Sequence, residues 1–467
     1  MLTSGGDQRI RVARGRNTNV YGASPYPRST LGYAASTAND ISQDAFLHLE
    51  QVVAGWPAGG LHDDESYKAS LDSVRVRLRT ALGLKDDVDI IFAPSGTDLE
   101  FVALALAMSR SQRPVTNILL GQDEVGSGCA LAAQGRFFAG ETAIRAGCEK
   151  GSRVQGFGNV ELVSLPVRDA CNRPLSGGSV TASIAESTAI AMAAGRHVIA
   201  HVVHGSKTGL VLPDLAGIDD LRTTFGDDVS IVVDACQARI EPSQLRDYLG
   251  RQAVVLLTGS KFIGGPPFSG FALVPRSLRP TRPLAAGLAD VFRRGEWPVD
   301  WPGCDPLPGG SNTGLLLRIL AALFELERYQ AVCSADRERV IAQFRQAVRL
   351  LTERLNVGLV TPSLEGSAVH LSTLATLDLS SLPGRPDMAM AQRWCQVLAA
   401  RGMRLGQPVM CVRKPDGNWA GTLRLSLSMP MISTLSRLDP ASLDVSLNRD
   451  MARIGDVLEA AQRPFVA

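Results

Sequence analysis

The chain has 467 residues, of which 45% are apolar and 20% charged, and its formal net charge is +2. This composition predicts a folded protein with a large core rather than a disordered chain. The near balance of charge gives no bulk electrostatic case for nucleic-acid binding. The eight cysteines are scattered and form no C-x-x-C pair, so we expect reduced thiols and a cytoplasmic protein.

The first 70 residues are rich in Gly, Ser, Thr and Pro, and we expect an N-terminal arm with one helix over ISQDAFLHLEQVV. No stretch has the apolar core of a signal peptide or the length of about 18 apolar residues that a membrane span needs. The arm is locally basic, which predicts a solvated tail or a dimer contact. Its arginines are Arg9, Arg11, Arg14 and Arg16.

From residue 71 onward, short apolar runs alternate with helical patterns, which predicts βα units in a mostly parallel sheet. We therefore expect an α/β fold with helices on both faces of the central sheet and a large domain over 71–325. The helical patterns are SYKASLDSVRVRLRTAL, DLEFVALALAMSR and GCALAAQGRFFAGETA. The runs are VDIIFAP, TNILLG, NVELVSLPV, HVIAHVVHG, VSIVVDA, AVVLLTG and FALVP.

The last part of the chain, 326–467, is expected to form a smaller C-terminal α+β domain. Long helical patterns cover 311–355, and the later apolar runs AVHLSTLATLDL and TLRLSLS flank the helical stretch MAMAQRWCQVLAARG. The spacing of apolar residues in these stretches is the basis for the assignment.

Polar residues follow several of the predicted strands, at the edge where parallel sheets bind ligands. Ser95, Gly96 and Thr97 follow the run IIFAP at the start of a helix. Free backbone N–H groups and the helix dipole there favour a phosphate. The same residue types are also ordinary helix caps, so both interpretations stay open.

Two later strands end in groups that suit an aromatic aldehyde. Asp234 ends a buried strand and needs a positive partner such as a protonated pyridine nitrogen, which Gln237 can also reach. Lys261 follows the next strand and is either a solvated loop residue or an amine placed to form a Schiff base. Thr258 and Ser260 can add hydroxyls to the phosphate seat.

The loop GGPP after Lys261 is expected to leave open space beside the amine. A fourth strand ends in the polar turn HGSKTG, which contains His204 and Ser206. The four strand ends together carry groups for a phosphate, a ring nitrogen, a ring hydroxyl and an aldehyde. This combination describes pyridoxal phosphate (PLP).

The motifs PSGTDLE, HGSKTGLVLPDLAGI, VVDACQ, TGSKFIGG and LRLSLS resemble those of the fold-type-I PLP enzymes, in the class V aminotransferase and cysteine desulfurase group. The resemblance spans positions 94 to 428 in the right order. It implies PLP as the cofactor, amino acid and keto acid substrates, and a homodimer with shared active sites. No metal, nucleic acid or membrane partner is expected.

The resemblance also implies roles for individual residues. Lys261 would hold the cofactor, Asp234 would pair with the pyridine nitrogen, and Gln237 would lie near the ring hydroxyl. Further cofactor contacts would come from Ser95, Gly96, Thr97, His204, Ser206, Thr258 and Ser260, with Ser311 and Asn312 reaching the partner's phosphate or merely capping a helix. Arg424 would clamp the substrate α-carboxylate with its two-pronged guanidinium, the alternative being a surface arginine on a strand.

Two features depart from the family pattern. The turn GQDEVGSG lacks the aromatic or histidine that usually stacks on the cofactor ring, so Val125, His204 or another residue takes that place. Cys411 lies near the position of the mobile cysteine of desulfurases, but its context PVMCVRKPDG does not match, which favours a buried or incidental cysteine.

An aminotransferase is therefore the expected activity. A PLP-dependent lyase, through Cβ elimination or C–S cleavage, and a decarboxylase use the same electron sink and stay open. A non-catalytic regulatory module on the same fold is a remote alternative, since the first 70 residues contain no convincing helix-turn-helix pattern.

Overall fold

The computed structural model describes residues 1–13, 15–34, 36, 38–57, 61, 63–122, 124–126, 128–360 and 369–462. Arg14 of the basic arm lies outside this part of the chain. The helices are α1 Gln43–Ala54, α2 Asp64–Leu82, α3 Leu99–Arg110, α4 Cys129–Ala132, α5 Gly177–Ala193, α6 Leu215–Phe225, α7 Pro242–Gly250, α8 Thr313–Gln330, α9 Ser334–Leu355, α10 Met388–Ala400, α11 Met429–Leu435 and α12 Pro440–Gln462.

The strands lie between these helices and form three sheets. They are β1 Leu31–Tyr33, β2 Val88–Ala93, β3 Val115–Leu120, β4 Glu161–Leu165, β5 His197–His204, β6 Val211–Leu212, β7 Val229–Asp234, β8 Val254–Thr258, β9 Gly270–Pro275, β10 Gly358–Leu359, β11 Leu374–Asp378, β12 Met403–Leu405 and β13 Thr422–Ser426.

The large sheet has the order β2-β9-β8-β7-β5-β3-β4, with β6 paired to β5. In sheet order, β4, β3, β5, β7 and β8 run parallel to one another, which confirms the predicted α/β fold with a mostly parallel sheet. The run FALVP forms β9, which is antiparallel to both β8 and β2. The chain returns after β8 without the helical crossover that a parallel neighbour requires.

Most inner strands are buried along their whole length because helices cover the sheet. Every residue of β5 and β8 is buried, which explains their nearly continuous apolar sequences. Helix α3 is buried over most of its surface and begins directly after β2. It thereby brings the motif PSGTDLE to the carboxyl edge of the sheet.

The predicted helix over GCALAAQGRFFAGETA is wrong beyond its first turn. Only α4 forms, and the chain then turns at Gly135, which has a φ of 66°. A Cβ atom at Gly135 would lie 2.7 Å from the Cβ of Phe157, so this position requires both the conformational freedom and the small size of glycine. Apolar periodicity alone did not reveal this close approach.

The C-terminal part contains the antiparallel sheet β10-β11-β13, and α9 packs against α12. Strand β1 of the N-terminal arm pairs in parallel with β12, which joins the two ends of the chain. The boundaries at 70 and 325 stay a prediction. Within the described residues, none of the helices has the length and apolar character needed to cross a membrane.

Candidate active site

A cavity of about 270 Å³ lies at the carboxyl ends of the parallel strands. Ten of the predicted site residues line it. They are Ser95, Gly96, Thr97, Ser206, Asp234, Gln237, Thr258, Ser260, Lys261 and Arg424. The convergence follows from the topology, because parallel neighbours end at the same edge of the sheet.

Asp234 and Lys261 lie on the same cavity, at the end of β7 and just after β8. The Oδ1 atom of Asp234 accepts a hydrogen bond from the backbone N–H of Cys236 at 3.0 Å. The carbonyl of Lys261 accepts from Nδ2 of Asn39 at 3.0 Å, which fixes the backbone that carries the amine. In the described part of the chain, neither Asp234 nor Lys261 forms an ion pair.

The turn before α3 packs tightly against β8. A Cβ atom at Gly96 would lie 2.7 Å from Cγ2 of Thr258, so only glycine fits this approach. The hydroxyl of Ser95 donates to Oδ2 of Asp98 at 2.6 Å and accepts from the backbone N–H of Thr97 at 3.2 Å. Burial raises the pKa of Asp98 to about 7.

Gln237 and Thr258 are oriented by neighbouring groups. Oε1 of Gln237 accepts from Nη1 of Arg239 at 2.7 Å, and the hydroxyl of Thr258 donates to the carbonyl of Cys236 at 2.7 Å. Arg239 is itself fully buried and stacks over the ring of Phe262. These contacts fix the carboxyl ends of β7 and β8 relative to each other.

Ser206 lines the cavity, but its hydroxyl donates to Oε2 of Glu124 at 2.9 Å. Glu124 also accepts from the hydroxyl of Thr208 and from Nη2 of Arg168, both at 2.9 Å. This buried network fixes the turn that contains Val125, which also lines the cavity. The hydroxyl hydrogen of Ser206 is therefore used within the wall of the cavity and is not available to donate to a ligand.

Arg424 reaches the cavity from β13 and is 8% exposed. Its Nε donates to the carbonyl of Gln407 at 2.9 Å and its Nη1 donates to the carbonyl of Lys207 at 3.2 Å. Burial lowers the pKa of Arg424, while the charge of Glu124 acts in the opposite direction. Among the described residues Arg424 has no carboxylate partner, and its Nη2 makes no hydrogen bond.

Three predicted residues do not line the cavity. His204 is buried and its Nδ1 lies 2.9 Å from the hydroxyl of Tyr248, on the other side of β5 from the cavity-lining Val203. Asn312 caps α8 by accepting from the N–H of Leu315 at 3.1 Å. The hydroxyl of Ser311 lies 3.3 Å from that of Thr313.

The glycines after Lys261 serve packing rather than open space, so that expectation is corrected. A Cβ atom at Gly264 would lie 2.5 Å from Pro430, and one at Gly265 would lie 2.7 Å from the Cβ of Ala322. The loop is buried between α8 and the start of α11. The small residues of the loop allow this close contact. Phe268, at the end of the loop, forms part of the cavity wall.

Several cavity residues received no role in the sequence analysis. They are Arg9 and Tyr21 of the arm, Glu100 of α3, and Lys207. Burial and the nearby charge of Asp234 raise the pKa of Glu100 well above its usual value. Burial, Arg424 and Lys261 lower the pKa of Lys207. Arg9 departs from the expectation of a solvated tail, because its side chain is only 23% exposed, whereas Arg11 is 64% exposed as expected.

Burial acts on the thiols near the cavity. Cys129 and Cys236 line it, and burial raises the pKa of both above the usual range. Cys411 is buried and is not among the lining residues, and burial raises its pKa to about 12. This agrees with its interpretation as a buried or incidental cysteine.

A second cavity, also of about 270 Å³, lies at the amino ends of β5, β7 and β8. Arg110, Arg113, Arg222 and His197 contribute to its wall. Burial and the charge of Arg113 lower the pKa of His197 to about 4. None of the predicted site residues lies there.

Comparison with known proteins finds matches among solved structures only. No family model matches the chain. No curated protein matches it in sequence. The fold is similar to a NifS-like protein, with a TM-score of 0.58, 12% identity and coverage of 92% of this chain and 100% of the other.

Two further solved structures share this fold. The ureidoglycine-glyoxylate aminotransferase of Bacillus subtilis gives a TM-score of 0.57 at 12% identity, over 93% of this chain and 99% of the other. The cysteine desulfurase of Escherichia coli gives 0.57 at 16% identity, over 92% and 94%. The chain therefore has the fold of the fold-type-I PLP transferases, as the sequence motifs predicted.

Proposed function

We propose that the protein binds PLP in the cavity at the carboxyl edge of the sheet and acts on an amino acid. One observation carries this proposal: Lys261, Asp234 and Arg424 line the same cavity, and none forms an ion pair with another described residue. Arg424 is buried and Asp234 and Lys261 are half-buried, and charged groups in such positions usually have a partner. An amino acid joined to PLP offers a partner to each of them.

The residues at the end of β7 suit the ring of the cofactor. The carboxylate of Asp234 would pair with the protonated ring nitrogen. Gln237 has its carbonyl oxygen held by Arg239, which leaves its Nε2 group to donate toward the ring hydroxyl. Val125 is 5% exposed and lines the cavity, so we assign it the aliphatic contact with the face of the ring.

The phosphate would lie at the start of α3. Gly96 and Thr97 bring backbone N–H groups there, and Ser260 adds a hydroxyl for which the described part of the chain offers no hydrogen-bond partner. Such N–H groups and the helix dipole favour an anion. The residues present therefore fit PLP at both ends of the cofactor.

Substrate recognition would depend on Arg424. Its Nε and Nη1 atoms are held by backbone carbonyls, so the guanidinium is fixed before the ligand binds. The open Nη2 edge suits the α-carboxylate of an amino acid, in a charge-assisted hydrogen bond. Fixing the carboxylate orients the substrate and thereby selects which bond at Cα breaks.

PLP, when bound, supplies an electron sink that stabilises a carbanion at the substrate Cα. Nζ of Lys261 lies on the same cavity and would hold the cofactor before a substrate binds. With a substrate bound, the same Nζ would act as general base and acid, moving the proton at the substrate Cα. Transamination would require this proton transfer from Lys261.

The cavity thiols favour an aminotransferase over a desulfurase. A desulfurase needs a reactive thiolate, whereas burial raises the pKa of Cys129 and Cys236 and so disfavours their thiolates, and Cys411 lies outside the cavity. The proteins of similar fold include an aminotransferase and a cysteine desulfurase by name. The thiols do not bear on other lyase or decarboxylase activities, which the products measured in the test below distinguish.

The test is a visible absorption spectrum of the purified protein with PLP, recorded before and after addition of single amino acids. We expect a visible band from lysine-bound PLP that one amino acid abolishes and a keto acid restores. Lys261→Ala should lack the band. Lys207→Ala should keep the band, because Lys207 lies in the turn after β5 and not at the end of β8. Absence of the band from the wild-type protein would refute PLP binding.

The products distinguish the activities. A new amino acid formed from an added keto acid identifies an aminotransferase. Ammonia with pyruvate, or sulfide, would identify a lyase instead, and carbon dioxide would identify a decarboxylase.

A further inference from the structure

The first residues of the chain are fixed against the start of α8. Arg318, which is fully buried, donates through Nη1 to the carbonyl of Ser4 at 2.5 Å and through Nη2 to the carbonyl of Gly5 at 3.0 Å. Nδ2 of Asn312 donates to the same Gly5 carbonyl at 3.1 Å. The segment before Arg9 therefore has a defined position against α8.

Arg9 is oriented by its neighbours rather than by solvent. Its Nε and Nη2 atoms donate to the two carboxylate oxygens of Asp7 at 2.8 and 2.6 Å. Its guanidinium carbon lies 4.9 Å from the ring centre of Phe138 and 5.3 Å from that of Phe268. Nη1 makes no hydrogen bond within the described residues, and the side chain lines the cavity.

The two rings place Arg9 beside the turn that precedes α3. Gly128 contacts both Thr97 and Phe138, because a Cβ atom there would lie 3.1 Å from Cγ2 of Thr97 and 3.4 Å from the ring of Phe138. Phe268 lies two residues before Gly270, where a Cβ atom would lie 2.7 Å from the carbonyl oxygen of Ser95.

The backbone of Phe268 is unusual. Its φ of 70° lies in the left-handed region, which is costly for a bulky side chain. Such strain is typical of functional sites, where the surrounding structure imposes it. Here the residue with this conformation is Phe268, whose ring packs against the guanidinium of Arg9.

A phosphate at the turn before α3 would bring a negative charge, which a nearby cation would stabilise. None of the residues assigned to the phosphate is basic, and the adjacent Asp98 is a buried acid that would repel a phosphate whenever it is ionised. Burial acts to lower the pKa of Arg9, but the hydrogen bonds and charge of Asp7 hold it above its ordinary value, with a smaller contribution from Asp98. Arg9 therefore stays charged.

We infer that Arg9 binds the phosphate of the cofactor through its Nη1 edge, with Asp7 holding the guanidinium in position. This inference rests on the proposed function. The cation would thus come from the same subunit as Lys261, through its N-terminal segment. Ser311 and Asn312, by contrast, are occupied with contacts at the start of α8.

The test compares PLP with pyridoxal, which lacks only the phosphate. Binding of each to the cofactor-free protein is followed by absorption for the wild type, Arg9→Gln, Arg9→Lys and Arg11→Gln. Arg11 is the matched control, because it is 64% exposed and pairs with Glu141 at 2.7 Å.

We expect Arg9→Gln to weaken PLP binding about 10- to 100-fold, the size of a lost charged hydrogen bond, and to leave pyridoxal binding unchanged. Arg9→Lys should lose less, because it keeps the charge but not the planar fork. Arg11→Gln should match the wild type with both compounds.

Other outcomes would overturn the inference. Unchanged PLP binding in Arg9→Gln would do so directly. Equal losses for PLP and pyridoxal would mean that Arg9 only supports the fold, and a weakened amino acid affinity alone would assign it to the substrate instead. A wild-type protein that binds neither compound would refute the proposed function, which is a separate result.

Discussion

Two cavities of about 270 Å³ lie at opposite edges of the large sheet, and they differ in how their charged groups are satisfied. At the amino edge, Arg222 donates to the carbonyls of Val229 and Gln252 at 2.8 and 2.7 Å, and Arg113 forms an ion pair with Asp228. At the carboxyl edge, Asp234 and Lys261 form no ion pair with another described residue, and Arg424 donates to two backbone carbonyls but has no described carboxylate partner.

Cavity size alone therefore does not identify a reactive site in this protein. The arginines at the amino edge tie loops and strands together through backbone carbonyls. At the carboxyl edge, a carboxylate, an amine and a guanidinium converge with their charges unpaired, an arrangement that costs stability unless a ligand completes it. The mutational effects at the two edges should differ accordingly.

The largest effect is expected from Asp234→Asn. This substitution removes the charge that would stabilise the ring nitrogen, and we expect kcat/KM to fall about 100- to 1000-fold. The measurement is the rate of the half-reaction with the best amino acid substrate. The matched control is Asp227→Asn, since Asp227 lines the other cavity and should leave the rate unchanged. Equal rates in all three proteins would contradict the role of Asp234.

A smaller loss is expected from Arg424→Lys. Lysine keeps the charge but loses the two hydrogen bonds to backbone carbonyls that fix the guanidinium, so its ammonium would be less well placed for the carboxylate and kcat/KM should fall about tenfold, mainly through KM. Steady-state kinetics with the same substrate measure this split. A fall in kcat with KM unchanged would argue that Arg424 acts on the reaction step and not on carboxylate binding.

The smallest effect on activity is expected from Arg222→Gln at the amino edge. Loss of its bonds to β7 and to the turn before β8 should lower the free energy of unfolding by about 1–3 kcal/mol, with kcat/KM unchanged for the folded protein. Urea unfolding and kinetics on the same sample test both parts. A loss of activity at unchanged stability would mean that the amino-edge cavity has a function of its own.

Much of the candidate site was predictable because it lies at strand ends. Parallel strands are recognisable as short apolar runs, and their carboxyl ends meet, so residues such as Asp234 and Lys261 were expected to converge without knowledge of the fold's details. The alternation of runs and helical patterns likewise predicted the α/β class.

The remainder depended on contacts between distant parts of the chain. Arg9 reaches the cavity only because Arg318 and Asn312 fix the preceding residues, and no local pattern reports such a contact. The role of Gly264 was misjudged for the same reason, since its neighbour Pro430 is far away in sequence. His204 was expected to face the cavity, but successive side chains of β5 point to opposite faces of the sheet, and Val203 lines the cavity instead.

The protonated thiols of the cavity have a practical consequence for labelling. Thiol-directed reagents attack the thiolate, so they should avoid Cys129 and Cys236, whose pKa values burial raises. Cys171 and Cys333 are exposed and belong to other surfaces of the molecule. Fluorophores can thus be attached to the native sequence at these two positions, and conformational changes on ligand binding can be followed without engineering the reaction centre.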